Sequence, residues 1–115
     1  MATDIAENKL HHILVVDDEE IVLAALRETL TREGYRVATA LSAHEALGLL
    51  EEHAFSVVLT DQQMPKLTGL EFLGQVKQRQ PDATRILITG ALSLATVIDS
   101  INKGEIYRFI VKPWL

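Results

Sequence analysis

Four sets of polar residues each follow directly on a short apolar run. Asp17-Asp18 follows residues 12–16, Asp61 follows 55–60, Thr89-Gly90 closes 85–89, and Lys112-Pro113 follows 106–111. If the apolar runs are strands of one parallel sheet, these residues meet outside its carboxyl edge, where such sheets bind ligands. Three carboxylates gathered there repel by roughly 4 kcal/mol per pair at about 4 Å and an effective dielectric near 20. A hard divalent cation removes that repulsion, and carboxylate, carbonyl and water oxygens suit Mg²⁺, with Mn²⁺ as a substitute. The chain has no cysteine, and its histidines, His11, His12, His44 and His53, are not placed among these strand ends, so zinc fits less well.

A metal among carboxylates, a threonine hydroxyl and a lysine ammonium together suit phosphoryl transfer. The cation and the ammonium neutralise phosphoryl oxygens and the hydroxyl donates a hydrogen bond. A central carboxylate can act as the nucleophile, giving an aspartyl phosphate, and Asp61 on the middle strand is the candidate. Singly, each residue has an ordinary explanation. Asp17 and Asp18 would cap a helix, Asp61 would open a turn, Thr89 is a common strand residue, and Lys112 is a solvated charge. Their conjunction points to chemistry.

The elements that must position these residues alternate. Residues 12–16 read as a buried strand, and 19–32 as a helix with Ile21, Val22, Ala25, Leu26, Thr29 and Leu30 on one face, stopped at Gly34. A strand follows at 35–40, then a helix in which Ser42 and Glu45 have capping-box spacing and Ala43, Ala46, Leu47 and Leu50 face inward. Residues 55–60 give a third strand, and a helix presenting Leu70, Leu73 and Val76 runs to Pro81. Residues 85–89 give a fourth strand. A helix with Leu94, Val97, Ile98 and Ile101 on one face ends at Gly104, and 106–111 is the fifth strand. Strands separated by helix-length segments pair in parallel through right-handed crossovers, so the expected fold is α/β, an open doubly wound sheet.

Composition bounds what this unit can do. With 115 residues, 48% of them hydrophobic, the chain can bury one core. A net charge of -5 argues against a direct grip on nucleic acid. No apolar run approaches the roughly 20 residues of a membrane helix, and residues 1–11 lack the pattern of a secretory signal, so the expected location is the cytoplasm.

The stretches Ile13-Leu14-Val15-Val16-Asp17-Asp18-Glu19, Leu59-Thr60-Asp61-Gln62-Gln63-Met64-Pro65 with Thr68-Gly69, Ile88-Thr89-Gly90 and Phe109-Ile110-Val111-Lys112-Pro113 resemble the receiver domains of two-component response regulators. The resemblance runs from His12 to Pro113. It implies a flavodoxin-like five-stranded sheet of order 2-1-3-4-5, with residues 1–11 a flexible tail and 12–115 the receiver domain. By position it implies that Asp61 accepts a phosphoryl group from a phosphohistidine on a sensor histidine kinase or phosphotransfer protein. Asp17, Asp18 and Asp61, with the backbone carbonyl of Gln63, would hold Mg²⁺. Thr89 would bind a phosphoryl oxygen, Lys112 would pair with the group, and Phe109 would change rotamer with Thr89. The resemblance also implies that Gln63 and Ala91 occupy the positions that in the family tune the phosphoryl lifetime. Partners would read the face of helix four and strand five. Beyond phosphorylation and dephosphorylation at Asp61, no separate substrate turnover is expected.

The alternation would call for one more helix after strand five, and the sequence stops at Leu115. An exposed apolar patch of Ile86, Ile88 and Ile110 at the sheet edge would either favour a homodimer or mark an incomplete unit; the expectation is the latter, a longer natural protein truncated after strand five. Residues 101–109 with Pro113-Trp114 resemble receivers fused to cyclic-dinucleotide phosphodiesterase or sensor-kinase output modules. A metal-dependent phosphatase lacks support because no second aspartate stands two residues after Asp17 or Asp61. A flavin carrier lacks it because Asp17-Asp18-Glu19-Glu20 would repel phosphate unless metal intervened. A pure interaction module would be expected to lack part of the acidic, Thr and Lys set.

Overall fold

A computed structural model of the chain describes residues 10–90, 94–104 and 107–111. Strands β1 (His12–Val16), β2 (Arg36–Ala40), β3 (Val57–Asp61), β4 (Thr84–Thr89) and β5 (Arg108–Val111) alternate with helices α1 (Glu20–Arg32), α2 (Ala43–Glu52), α3 (Gly69–Arg79) and α4 (Leu94–Asn102). All neighbouring strands are parallel, in the order β2-β1-β3-β4-β5. This is the expected topology.

The sheet is buried on both faces because successive residues of β1 serve opposite cores. Leu14 and Val16 join Val58, Leu87, Phe72, Leu73 and Val76 beneath α2 and α3. Ile13 and Val15 join Leu59, Ile88 and Leu23 beneath α1. A period of two along each strand makes this division automatic. At the end of α1, Gly34 takes φ 96 while Gly34 N–H bonds Thr31 O and Tyr35 N–H bonds Leu30 O, a left-handed stop that a side chain would strain.

Several expectations need correction. On α1 the stripe is Leu23, Leu26 and Leu30 with Val22; Ile21 is 85% exposed, and Ala25 and Thr29 face solvent as well. The spacing i, i+3, i+7 sets the stripe, which turns the buried face toward Leu23, outside the expected set, and away from Ile21, Ala25 and Thr29. Phe72 is wholly buried on α3, whereas Leu70 is half-buried. On α4, Ile98 is exposed and Ser100 is buried; the side chains of Leu94 and Val97 lie outside the described ones. In the anticipated apolar patch, Ile88 is only 3% exposed because it packs into the α1 core and Ile86 packs against that core, leaving Ile110 exposed.

Among the described residues, no helix is long and apolar enough to cross a membrane.

Candidate functional site

Strand register brings the polar residues together. Val16 pairs with Thr60, so Asp17 stands one step beyond β1 beside the end of β3. Asp61 pairs with Ile88, so Thr89 stands one residue beyond it on β4. These three polar side chains are almost completely buried, with exposures of 1% for Asp17, 4% for Asp61 and 4% for Thr89. Burying two carboxylates at adjacent strand ends is costly without a compensating charge or donor. Asp18 and Glu19 are exposed above them.

Asp17 is not a helix cap. Its Oδ1 accepts from Glu19 N–H at 2.9 Å, whereas the N-cap of α1 is Glu19, which makes no side-chain capping bond. Asp17, Asp18 and Glu19 each place a carboxylate oxygen within 4.8 Å of the other two. This all-oxygen, anionic set fits a hard divalent cation. Asp61, expected to hold the ion with Asp17 and Asp18, is not in this close group, and Glu19 is. The adjacency of Glu19 to the aspartates was the available signal.

The end of β3 is held from several sides. Thr60, buried and facing α2 and α3, donates from Oγ1 to Asp61 O at 3.0 Å, with Met64 Sδ 3.8 Å away. Gln62 N–H donates to Ile88 O at 2.9 Å. Gly69 N–H donates to Gln62 O at 3.0 Å, and Leu70 N–H donates to Gln62 Oε1 at 2.8 Å. Thr68 completes the start of α3: its Oγ1 accepts from Glu71 N–H at 3.2 Å and Glu71 Oε1 accepts from Thr68 N–H at 3.0 Å. The Thr68 backbone N–H, and after it the Thr68 side chain, hold the Glu71 carboxyl below the usual carboxylate range. The Thr68-x-x-Glu71 spacing is itself a capping-box signature in the sequence. At the anticipated box on α2, Ser42 Oγ accepts from Glu45 N–H, while Glu45 Oε2 accepts from Leu41 N–H at 3.5 Å, one residue before the expected Ser42 amide.

Gln63 is exposed in the following loop. There Lys66 takes φ 71 and Leu67 N–H bonds Pro65 O at 2.8 Å, a three-residue γ-turn. Of the other expected site residues, Phe109 lies in β5, where Leu87 pairs with it. Its side chain, Ala91 and Lys112 lie outside the described residues.

Residues 13–115 match the family model described as "Response regulator receiver domain". The chain belongs to the response regulator receiver family. It is 48% identical over 103 residues to the hydrogenase transcriptional regulatory protein HoxA of Cupriavidus necator, covering 90% of this chain and 21% of that protein. The chain thus spans about a fifth of that relative's length. Among solved structures, a CheY-like receiver domain protein from Methanospirillum hungatei superposes with TM-score 0.84 at 32% identity, covering 91% of this chain and 83% of that one. The Thermotoga maritima response regulator TrrA, solved in complex with Mg²⁺-BeF, gives TM-score 0.79 at 33% identity over 90% of this chain and 88% of that one. The receiver therefore has the flavodoxin-like fold expected of it, and its role is that of a signal-receiving switch.

Proposed function

We propose that this receiver accepts a phosphoryl group on Asp61 from the phosphohistidine of a sensor histidine kinase or phosphotransfer protein. One observation carries the reading: Asp17, Asp61 and Thr89, on three separate segments, are buried together at the carboxyl edge of one parallel sheet. A carboxylate oxygen of Asp61 attacks phosphorus and the P–N bond to the donor imidazole breaks. The imidazole takes a proton as it leaves, and Asp61 becomes an acyl phosphate. Attack of water on phosphorus later returns the carboxylate and inorganic phosphate.

Asp17, Asp18 and Asp61, with the Gln63 carbonyl, would hold Mg²⁺, and Glu19 is close enough to join through its carboxylate. The ion supplies positive charge to the carboxylate cluster and to the phosphoryl oxygens. Thr89 donates its hydroxyl to a phosphoryl oxygen and Lys112 pairs with the group. Thr89 with Phe109 passes the change to α4 and β5. On α4 Ile98 is 46% exposed and Tyr107, just before β5, is 62% exposed, giving a surface on which a partner or a second copy could read the switch.

We take residues 12–115 as the receiver unit, acting in the cytoplasm. The likeness to HoxA supports a transcriptional output, in place of the phosphodiesterase or kinase module suggested by residues 101–114. Nucleic-acid contacts would then belong to another part of the protein, consistent with a charge of -5 here.

Intact-mass measurement after incubation with acetyl phosphate tests the site. The native chain is expected to gain one phosphoryl group only with Mg²⁺ present, and Asp61→Asn to gain none. An equal adduct in Asp61→Asn, or one independent of Mg²⁺, overturns the proposal.

A further inference from the structure

We infer that Gln62 is a positioning residue that sets the metal affinity of the acidic site by locking the start of α3 to the end of β3. The inference rests on the reading of that site given above. A helix leaves its first N–H groups without partners inside the helix. In α3 these are accounted for: Gly69 N–H goes to Gln62 O, Leu70 N–H to Gln62 Oε1, and Glu71 N–H to Thr68 Oγ1. Two of the three acceptors belong to Gln62, whose own N–H is held by Ile88 O on β4. A single residue, 9% exposed and covalently next to Asp61, thus joins β3, β4 and α3.

Two consequences follow from this bonding. The amides of Gly69 and Leu70 are committed to Gln62, so charge compensation at the strand end falls to other groups. The chain is also fixed immediately before Gln63, and beyond it the loop to Thr68 bends through the turn at Lys66. Metal affinity depends on how well ligating oxygens are held before the ion arrives, and removing a residue that orients them costs about tenfold or more. A side chain that merely filled space at position 62 would not show this dependence.

The test titrates Mg²⁺ into the unphosphorylated full chain and follows binding by NMR shifts, with no phosphoryl donor present. Gln62→Met keeps the length and removes the amide acceptor; Gln62→Glu keeps an oxygen at the same reach. Gln62→Met is expected to bind Mg²⁺ about tenfold more weakly and to speed hydrogen exchange at the Leu70 amide. Gln62→Glu is expected to bind at least as tightly as the native chain and to keep Leu70 protected. Gln62→Asn, one methylene shorter, should move both readouts in the same direction as Gln62→Met and serves if that variant does not fold. Native Mg²⁺ affinity in the folded Met or Asn variant overturns this inference alone. Failure of the native chain to bind Mg²⁺ overturns it together with the site reading.

Discussion

Gly69, the first residue of α3, lies so close to Asp61 that a Cβ placed on it would collide with the Asp61 carbonyl oxygen and stand 2.9 Å from both Gln62 Cα and Leu87 Cδ1. Two of these obstacles are backbone at the end of β3, which cannot swing aside as a flexible side chain would.

Gly69→Ala therefore sets two effects against each other. Alanine favours a helix over glycine by up to about 1 kcal/mol, while forcing a methyl into a close-packed site costs about 1–3 kcal/mol. The collision is with backbone, so overpacking wins. Gly69→Ala should lower stability by about 1–2 kcal/mol in urea unfolding and slow phosphorylation from acetyl phosphate, because relief requires α3 to move away from Asp61. A variant as stable and as reactive as the native chain would show that the helix start yields freely.

Gln80 ties three segments at the opposite end of the sheet. Its Oε1 accepts from Phe55 N–H at 2.8 Å, and its Nε2 donates to Leu50 O at 3.0 Å and His53 O at 2.7 Å. Gln80→Leu keeps the bulk, strands the Phe55 N–H and the Leu50 carbonyl in partly buried positions, and gives up the exposed bond to the His53 carbonyl. At about 1 kcal/mol per lost bond, the loss should reach about 2–3 kcal/mol in urea unfolding. Phosphorylation of the folded fraction should be unchanged, since none of these groups adjoins Asp61.

Lys66 has a left-handed backbone, φ 71, which a residue with a Cβ adopts at a cost. Lys66→Gly removes that strain and gives up some unfolded-state entropy in exchange. The net expectation is a gain of up to about 1 kcal/mol, read as a higher urea midpoint at unchanged slope. Lys66→Val should move the midpoint the other way, because a β-branched side chain tolerates positive φ least.

The legible parts of this chain were those written in local patterns. Alternation of short β-branched runs with helical periods predicts the parallel sheet, and the strand ends then locate Asp17, Asp61 and Thr89 without any knowledge of contacts. The face of α1 is not legible in the same way, because Ile21 is apolar but falls outside the stripe made by Leu23, Leu26 and Leu30. Periodicity alone cannot say how wide a stripe the sheet will cover. The roles of Thr60 and Gln62 were hidden for another reason. That of Thr60 lies in a bond to the next residue's carbonyl beside Met64, and that of Gln62 depends on a close approach of α3 to the end of β3, which arises from packing and leaves no spacing signature beyond Gly69 itself. Glu19 was visible as a residue but not as a neighbour of both aspartates, since that closeness comes from the turn Asp17 makes with its amide.

A histidine far from the acidic site supplies the pH dependence. The His12 ring lies 4.5 Å from the Phe55 ring and 5.7 Å from the His53 ring, centroid to centroid, at the start of β1. Burial lowers its pKa from 6.5, and the positive charge of Arg36 and the neighbouring His53 lower it further. With the folded-state value depressed, the unfolded chain binds the proton more readily. Stability from this group is thus complete above pH about 6.5 and declines as pH falls through the lowered folded-state value. Urea midpoints measured from pH 7.5 down to 5 should fall in the native chain, and the slope should be shallower in His12→Phe, which keeps an aromatic ring against Phe55 and cannot take a proton. The comparison with His12→Phe isolates the share due to His12. An identical pH slope in the two proteins would place the dependence elsewhere.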